Sequence, residues 1–229
     1  MHINHSIFDR PAAFYQAAHL ARVVSLDDPD SANRVQVRLI AFDGDDNDAP
    51  LWARVVSAFA GNERGAFFIP DVDDEVLVVF AGGDTRFPLI VGGLWNGASP
   101  APASIDSGGR NVTKCIASKN GIRITFTDES GQETLKLETP GGQSVTLKDG
   151  PGTLTLEDSN GNSIKLETAG ITVTASAKVT VQASQVAVSA GMVTVDAGMS
   201  TFSGVVKCDT LISNTVISTA YTPGAGNIW

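Results

Sequence analysis

The amino-acid sequence predicts an all-β protein. Three observations lead to that fold class. Hydrophobic residues make up 42% of the 229 positions, so the chain can bury a sizeable core. Val, Thr and Ile are frequent in the C-terminal half, where helix-forming residues are sparse. Short apolar segments alternate with turn residues, and the chain contains 23 glycines.

The first 20 residues are interpreted as an N-terminal arm with one short helix at 9–19. Asp9 suits the N-cap, and Pro11 is tolerated in the first turn. Phe14 begins an apolar face at helical spacing.

Residues 21–96 predict a small closed barrel. Six short apolar segments follow one another there, separated by turn residues. They are HLARVVSL, NRVQVRLI, LWARVVSA, AFFIP, EVLVVFAG and FPLIVGGLW. Five or six strands in this length favour a five-stranded Greek-key barrel of the OB type. The next stretch, GASPAPASIDSGGR at 97–110, is rich in small residues, Pro and Gly and is interpreted as a linker.

From residue 111 to 219, pairs of apolar residues recur two positions apart, which is typical of a β-solenoid. The step between pairs shrinks toward the C terminus, where Val186/Val188 and Val193/Val195 are separated by almost no turn residues. One chain with such short steps cannot enclose a core. We therefore predict an intertwined trimeric, triple-stranded β-helix, the shaft, whose strands each pair above and below with strands of neighbouring chains.

Charge and composition narrow the class of partner. A net charge of −9 argues against nucleic acid, whose phosphates need a basic face. No apolar run approaches the roughly 20 residues of a membrane span, and the N terminus lacks the pattern of a signal peptide. We expect synthesis in a cytoplasm. Cys115 and Cys208 are far apart and without a motif, so two idle thiols are expected rather than a disulfide or a metal site.

No metal or cofactor is expected. The loop at 43–48, DGDDND, begins like an EF-hand calcium loop, but Asp48 stands where Gly is needed and Arg54 where Glu is needed. A solvated turn is the better interpretation. His2 and His5 are interpreted as part of a mobile tail rather than as ligands.

Two groups of residues raise other functions. The carboxylates Asp128, Glu129, Glu133 and Glu138 could pair to hydrolyse a glycan, but Glu alternates with Lys in LKLET and IKLET, which favours a solvated strand face. We therefore expect no enzymatic activity and no catalytic residue. The aromatic residues Phe67, Phe68 and Phe80 could stack bases on an OB barrel, but without interleaved Lys and Arg they are interpreted as barrel core.

The last ten residues, 220–229, form a separate tip segment because the alternating pattern stops after Ser218. Tyr221, Ile228 and Trp229 are large and apolar, and three copies would create an apolar end. Either this end docks a small partner protein, or Trp229 folds back and plugs its own shaft. Both interpretations remain open.

Two stretches resemble a known family, the central spike proteins of contractile injection machines. The segment Gly65–Asn96, GAFFIPDVDDEVLVVFAGGDTRFPLIVGGLWN, carries a Pro-containing turn, an acidic strand entry, a "GD…P" hairpin and a "G.L.N" close. This pattern resembles the OB domain of phage baseplate assembly protein V and its VgrG-type relatives, which commonly have Gly at the position of Asp73. The ending CDTLISNTVISTAYTPGAGNIW resembles the terminus of phage spikes that carry a separate tip protein.

The resemblance implies a structural homotrimer at the centre of a tail baseplate. Its OB domains would face the hub protein, it would help nucleate the baseplate, and its shaft would be driven through the target cell's outer membrane when the sheath contracts. It also implies a PAAR-like protein at the tip. Some relatives bind iron through a His-x-His pair near the tip, but here no histidine follows His19.

The linker at 97–110 is too short to hold the lysozyme domain of some spikes. The alternative functions are a receptor-binding or glycan-cleaving β-helical tailspike and an OB-type nucleic-acid binder. Only Phe126 and Phe202 are aromatic between 111 and 207, which disfavours a carbohydrate groove.

Overall fold

A computed structural model describes residues 17–42 and 49–220 of the chain. The chain divides into two compact units, 1–179 and 180–229. The first unit contains a small barrel and an open antiparallel sheet. In the described ranges, no helix is long and apolar enough to cross a membrane.

The barrel is closed by five strands in the order β1-β2-β3-β7-β6. A two-stranded hairpin, β4–β5, branches from it between β3 and β6. The strands are β1 (His19–Ser25), β2 (Val35–Leu39), β3 (Leu51–Val55), β4 (Ala60–Gly61), β5 (Arg64–Gly65), β6 (Glu75–Phe80) and β7 (Pro88–Leu94). All barrel pairs are antiparallel except β3 with β7. The predicted all-β class and the predicted five-stranded barrel are confirmed.

Strict alternation along the barrel strands produces its core. Val23, Val37 and Val78 have no exposed surface, and their neighbours in sequence point outward. Burying a valine side chain contributes about 1.5 to 3 kcal/mol. Because the sheet closes on itself, these inward side chains pack against one another within a single chain.

One sequence prediction for this region lies mostly outside the described residues, and another is wrong. The predicted helix at 9–19 lies outside the described residues up to position 16, but positions 17 and 18 are not helical and His19 begins β1. Residues 66–70, AFFIP, form no strand, and Phe67 and Phe68 are 72% and 70% exposed. Adjacent side chains of a strand point to opposite faces, so two consecutive phenylalanines cannot both enter one core. The third predicted core aromatic, Phe80, is buried.

The second sheet, here called the shaft sheet, has seven antiparallel strands that follow one another in chain order. They are β8 (Thr113–Ala117), β9 (Arg123–Thr127), β10 (Thr134–Glu138), β11 (Ser144–Lys148), β12 (Thr153–Glu157), β13 (Ser163–Glu167) and β14 (Gly170–Thr174). Each strand pairs with its neighbours in the same chain.

This pairing corrects the prediction that every shaft strand pairs with strands of other chains. Between residues 113 and 174, each chain makes its own sheet. The physical reason is the length of the turns. Most steps in this part leave about five residues between strands, and Gly121, Gly142 and Gly161 occupy the left-handed region with φ of 83° to 88°. The chain can therefore reverse at each turn.

The described part of the second unit, residues 180–220, has no assigned strand. Apolar and small residues still alternate, yet side chains such as Val188 and Met199 are exposed. The seven-residue steps contain too few turn residues for the chain to fold back on itself. Pairing with neighbouring chains stays a prediction for this part.

Candidate functional site: the apolar face of the shaft sheet

The shaft sheet separates apolar from polar residues by strand alternation. In β10, which reads TLKLE, Leu135 and Leu137 lie on one face and Lys136 on the other. The neighbouring strands SVTLK, TLTLE and SIKLE repeat this pattern. From β9 to β14, each five-residue strand therefore presents two apolar side chains to the same side.

The register aligns these side chains across the strands. Leu137 is opposite Ile124 on one side and Val145 on the other, and Leu135 is opposite Phe126 and Leu147. The pairing continues through β14 and produces two columns of apolar residues on one face, called the apolar face. The columns are Ile124, Leu137, Val145, Leu156, Ile164 and Val173, and Phe126, Leu135, Leu147, Leu154, Leu166 and Ile171.

From β9 to β14, the opposite face consists mainly of polar residues. Its central column contains Thr125, Lys136, Thr146, Thr155, Lys165 and Thr172. Lys136 forms an ion pair with Glu138, and Lys165 forms one with Glu167 at 2.6 Å between Nζ and Oε2. These groups suit contact with water, as the alternation of Lys with Glu predicted.

The apolar face has no second layer within its own sheet. Leu137 and Leu156 are each 39% exposed, whereas the core residues of the barrel are at most 5% exposed. A continuous apolar surface of this kind is rare on soluble monomers and marks an interface. The chain alone leaves this face incomplete.

The width of the strands suits a threefold arrangement. A strand of five residues is about 17 Å long, which sets the width of the shaft sheet. If three such sheets form the sides of a triangular prism, each sheet lies about 5 Å from the central axis. That distance is half of the roughly 10 Å that separates packed sheets. Leucine and isoleucine side chains fill that space, and Lys or Glu would not. The residue types of the apolar face therefore fit an interior shared by three copies.

Hydrogen bonds at the turns hold the strands of the shaft sheet in register. The carboxylate of Asp158 accepts hydrogen bonds from the backbone and side-chain nitrogens of Asn160 and Asn162. These hydrogen bonds lower the pKa of Asp158 to about 2, and the one from the Asn162 side chain has the largest effect. Asn162 Oδ1 in turn accepts from the backbone nitrogen of Ser176 at 2.9 Å. The turn after β12 is thus tied to the segment after β14.

The stretch at 97–110, interpreted as a linker, forms hydrogen bonds and ion pairs with the shaft sheet. Arg123 donates to the carbonyl oxygen of Pro102 at 3.2 Å, and Arg110 pairs with Asp106 and with Glu129. The barrel is also connected, because Lys119 Nζ lies 3.5 Å from Asp71 Oδ2. These contacts connect the barrel and the stretch at 97–110 to the first strands of the shaft sheet within the first unit.

Three of the four carboxylates considered for glycan hydrolysis form ion pairs. Asp128 pairs with Lys114, Glu129 with Arg110, and Glu138 with Lys136. Each of these three carboxylates is engaged by a different cation. These ion pairs join residues of the strands and turns of the shaft sheet and of the stretch at 97–110.

The other predicted site residues are placed as follows. The tip residues Tyr221, Ile228 and Trp229 lie outside the described residues, as do His2, His5 and the loop at 43–48. His19 is buried in the barrel with its ring 5.5 Å from that of Phe80. In the part of the chain that the structure describes, no group of three or more His, Cys, Asp or Glu residues could hold a metal ion. Cys115 and Cys208 are free thiols.

Sequence reasoning missed two features of the interaction surfaces. It assigned strand pairing in the shaft entirely to other chains, although the turns TPGG and DSNGN signal hairpins within one chain. It also placed Phe67 and Phe68 in the barrel core. The Pro70 that follows them is a signal against a central strand.

Two family models match the chain. The type VI secretion system/phage-baseplate injector OB domain matches residues 19–95, which contain all barrel strands. The phage baseplate V C-terminal trimerisation domain matches residues 134–199, which include β10 to β14 and part of the second unit. The trimerisation match thus covers most of the apolar face and supports a homotrimer.

The curated relatives include spike proteins of type VI secretion systems. The chain is 38% identical to the type VI secretion system spike protein VgrG4b of Pseudomonas aeruginosa over 96 residues. These aligned residues make up 40% of this chain and 12% of that protein. Over 113 residues it is 28% identical to the spike protein VgrG3 of Vibrio cholerae, 47% of this chain and 11% of that protein. The actin cross-linking toxin VgrG1 of Vibrio cholerae is 27% identical over 89 residues, 38% of this chain and 8% of that protein. The chain spans a small fraction of the length of these relatives.

Proposed function

We propose that this chain is the structural central spike of a contractile injection system. It belongs to the baseplate V and VgrG-like family of spike proteins. The observation that carries the proposal is the apolar face: twelve large apolar side chains in two columns, with a polar opposite face. Such a sheet needs an interior, and two further copies supply it.

A trimeric shaft suits mechanical work for two reasons. The backbone groups of strands β9 to β13 are hydrogen-bonded on both sides, so the sheet resists bending and offers few edges. Closing three apolar faces would exclude water from the axis, and packed protein interiors are as dense as organic crystals. A rod of this kind transmits axial force without unfolding.

The remaining roles extend the proposal. The barrel faces the hub protein of the baseplate and helps nucleate baseplate assembly. The shaft at 111–219 is driven through the outer membrane of the target cell. The tip segment at 220–229 docks a PAAR-like protein through Tyr221, Ile228 and Trp229. The spike is made in the host cytoplasm and is then incorporated into the baseplate of a phage tail or an equivalent particle.

We propose no enzymatic activity for this chain. The carboxylates of the shaft sheet are engaged in ion pairs, which supports a structural role. Cross-linking of actin is named for one relative, and its matched part is 8% of that protein.

The first test is the oligomeric state of the full chain. Light scattering should give three times the 23.8 kDa of one chain, and the trimer should resist SDS at room temperature. A monodisperse monomer at micromolar concentration would sink the proposal.

The second test concerns assembly. Deleting the gene from the genome that encodes it should abolish complete contractile particles, and the wild-type chain should restore them. Two matched variants change one residue on each face of β12. Leu156→Asp, on the apolar face, should fail to restore the particles, and Thr155→Asp, on the polar face, should restore them. Normal particles in the deletion strain would contradict the role.

The tip is tested by removing residues 221–229. The truncated chain should remain a trimer by light scattering and lose co-purification with a PAAR-like protein encoded beside it. Unchanged co-purification would favour the alternative in which Trp229 plugs its own shaft.

A further inference from the structure

The barrel carries an exposed aromatic surface that is separate from the apolar face of the shaft sheet. Residues 59–68, called the aromatic hairpin, contain β4, β5 and the three phenylalanines Phe59, Phe67 and Phe68. All three rings are more than 60% exposed and line one groove with Val56. Three exposed phenyl rings on ten residues present a concentrated apolar surface.

The aromatic hairpin is held in shape by hydrogen bonds. Ser57 Oγ lies 2.9 Å from the carbonyl oxygen of Phe59 and 2.7 Å from that of Ala66, and its single hydrogen donates to one of these two oxygens. The backbone nitrogen of Ala66 donates to Phe59 O at 3.2 Å. A Cβ at Gly65 would lie 2.9 Å from the same oxygen, so the two arms are close together. The rings are thus presented by an ordered hairpin, which reduces the entropy cost of docking.

We propose that the aromatic hairpin packs against a second copy of this chain, on the barrel of the neighbouring subunit. The inference rests on the proposed trimer and adds a contact outside the trimerisation domain at 134–199. The barrels would then be joined to one another directly, in addition to being carried by the shaft.

Continuity with the apolar face supports this choice of partner. The chain runs from Phe68 through Ile69, which packs against the barrel core, to Asp71. Asp71 contacts Lys119 in the turn between β8 and β9, three residues before the exposed Ile122. Phe68 is three residues from Asp71, and three residues span at most about 11 Å, so the aromatic hairpin ends near the turn between β8 and β9. Copies that meet at the apolar face therefore also bring their barrels close to this hairpin.

Charge supports the same partner. The groove beside the rings is lined by the exposed Arg54 and Arg64 together with Glu63. The chain as a whole carries a net charge of −9, and Asp73 and Asp74 are exposed on the same barrel. A groove with a net positive rim suits the acidic barrel of a second copy.

The test uses photo-cross-linking in the full chain, expressed without other baseplate proteins. The photoreactive residue p-benzoylphenylalanine replaces Phe67 or Phe68 in separate variants. The matched control replaces Phe87, an exposed phenylalanine whose ring lies under the Arg86 guanidinium on another barrel turn. Benzophenone reacts with C–H groups in contact, at about 4 Å. Light scattering of each variant before irradiation gives its oligomeric state.

The expected result is covalent chain-to-chain adducts from positions 67 and 68, mapped by mass spectrometry to barrel residues, with several-fold less adduct from position 87. A trimer without adducts from 67 and 68 would overturn this inference and leave the trimeric spike intact. Equal adduct from position 87, or adducts only to co-purified nucleic acid or host protein, would overturn it as well. A monomer would overturn both this inference and the proposed function.

Discussion

The barrel and the shaft sheet share the same alternation of apolar and polar residues, but they differ in whether the apolar face is buried. Both have antiparallel strands whose side chains point alternately to two faces. In the barrel the sheet closes, and residues such as Val37 and Val78 are completely buried by their own chain. In the shaft sheet the strands stay open, and Leu137 and Leu156 keep more than a third of their surface exposed. Alternation determines that a face is apolar, and closure determines whether one chain can bury it.

The same comparison extends along the shaft. Between residues 113 and 174, turns that contain glycine let each chain pair its own strands. Between 180 and 220, the steps are too short for such turns, and the described residues form no strand. We therefore expect dependence on other copies to increase from the barrel through the shaft sheet to the second unit.

The largest expected effect comes from a charge on the apolar face. Leu156→Asp would place three carboxylates in a shared interior, and each buried charge costs several kcal/mol. We expect light scattering to report a monomer in which the barrel still melts cooperatively. Thr155→Asp puts the same charge one residue away, on the polar face and opposite Lys165. It should remain a trimer, and equal behaviour of the two variants would contradict the assignment of faces.

A smaller effect is expected in the barrel core. Val78→Ala should destabilise the barrel by about 2 kcal/mol, because it removes two buried methyl groups and leaves a cavity. Such a loss lowers the melting temperature of a domain of this size by about 10 °C. The mass by light scattering should stay that of a trimer. Val91→Ala, at an exposed position of β7, is the control and should change the barrel transition little.

A turn glycine tests whether the shaft sheet is built by its own chain. Gly150 has a φ of 63°, and a Cβ there would lie 2.1 Å from the carbonyl oxygen of Gly131. Gly150→Ala should cost about 2 kcal/mol per chain, from the left-handed conformation and this clash. Circular dichroism should show a lower melting temperature for the shaft. Gly152→Ala, with open space around its Cβ, should leave the shaft transition unchanged.

The smallest effect is the acid dependence of the two regions. The pKa of Asp158 in the shaft sheet and that of Asp84 in the barrel are both lowered to about 2, the first mainly by the Asn162 side chain and the second mainly by Arg86. A lowered pKa in the folded state contributes stability above the ordinary value of 3.8, and this stability is lost as the pH falls from about 4 to 2.

We therefore expect Asp158→Asn to flatten the pH dependence of the shaft melting temperature between pH 4 and 2, and Asp84→Asn to flatten that of the barrel. Thermal melts followed by circular dichroism across this pH range would measure both slopes. An effect of either substitution on the other region would show that the two regions do not melt separately.

Much of the fold could be predicted from local patterns. Strands β1, β2, β3, β6 and β7 lie within the predicted apolar segments, because half-buried strands produce alternation with period two. The polar face of the shaft sheet could also be predicted from LKLET and IKLET. AFFIP could not be placed, because its apolar run is compatible with a strand and with an exposed hairpin arm. The tertiary position of Phe67 and Phe68 settles that ambiguity.

The sequence by itself determined that this protein is all-β, that its first part is a closed barrel, and that its second part has one apolar face without a core. These properties follow from the order of residues along each strand. Only the tertiary structure decided which strands pair within one chain and which aromatic side chains stay outside the barrel. Register and closure depend on contacts between residues far apart in the chain, and the alternation of Leu135 and Leu137 is the same whether the neighbouring strand belongs to its own chain or to another copy.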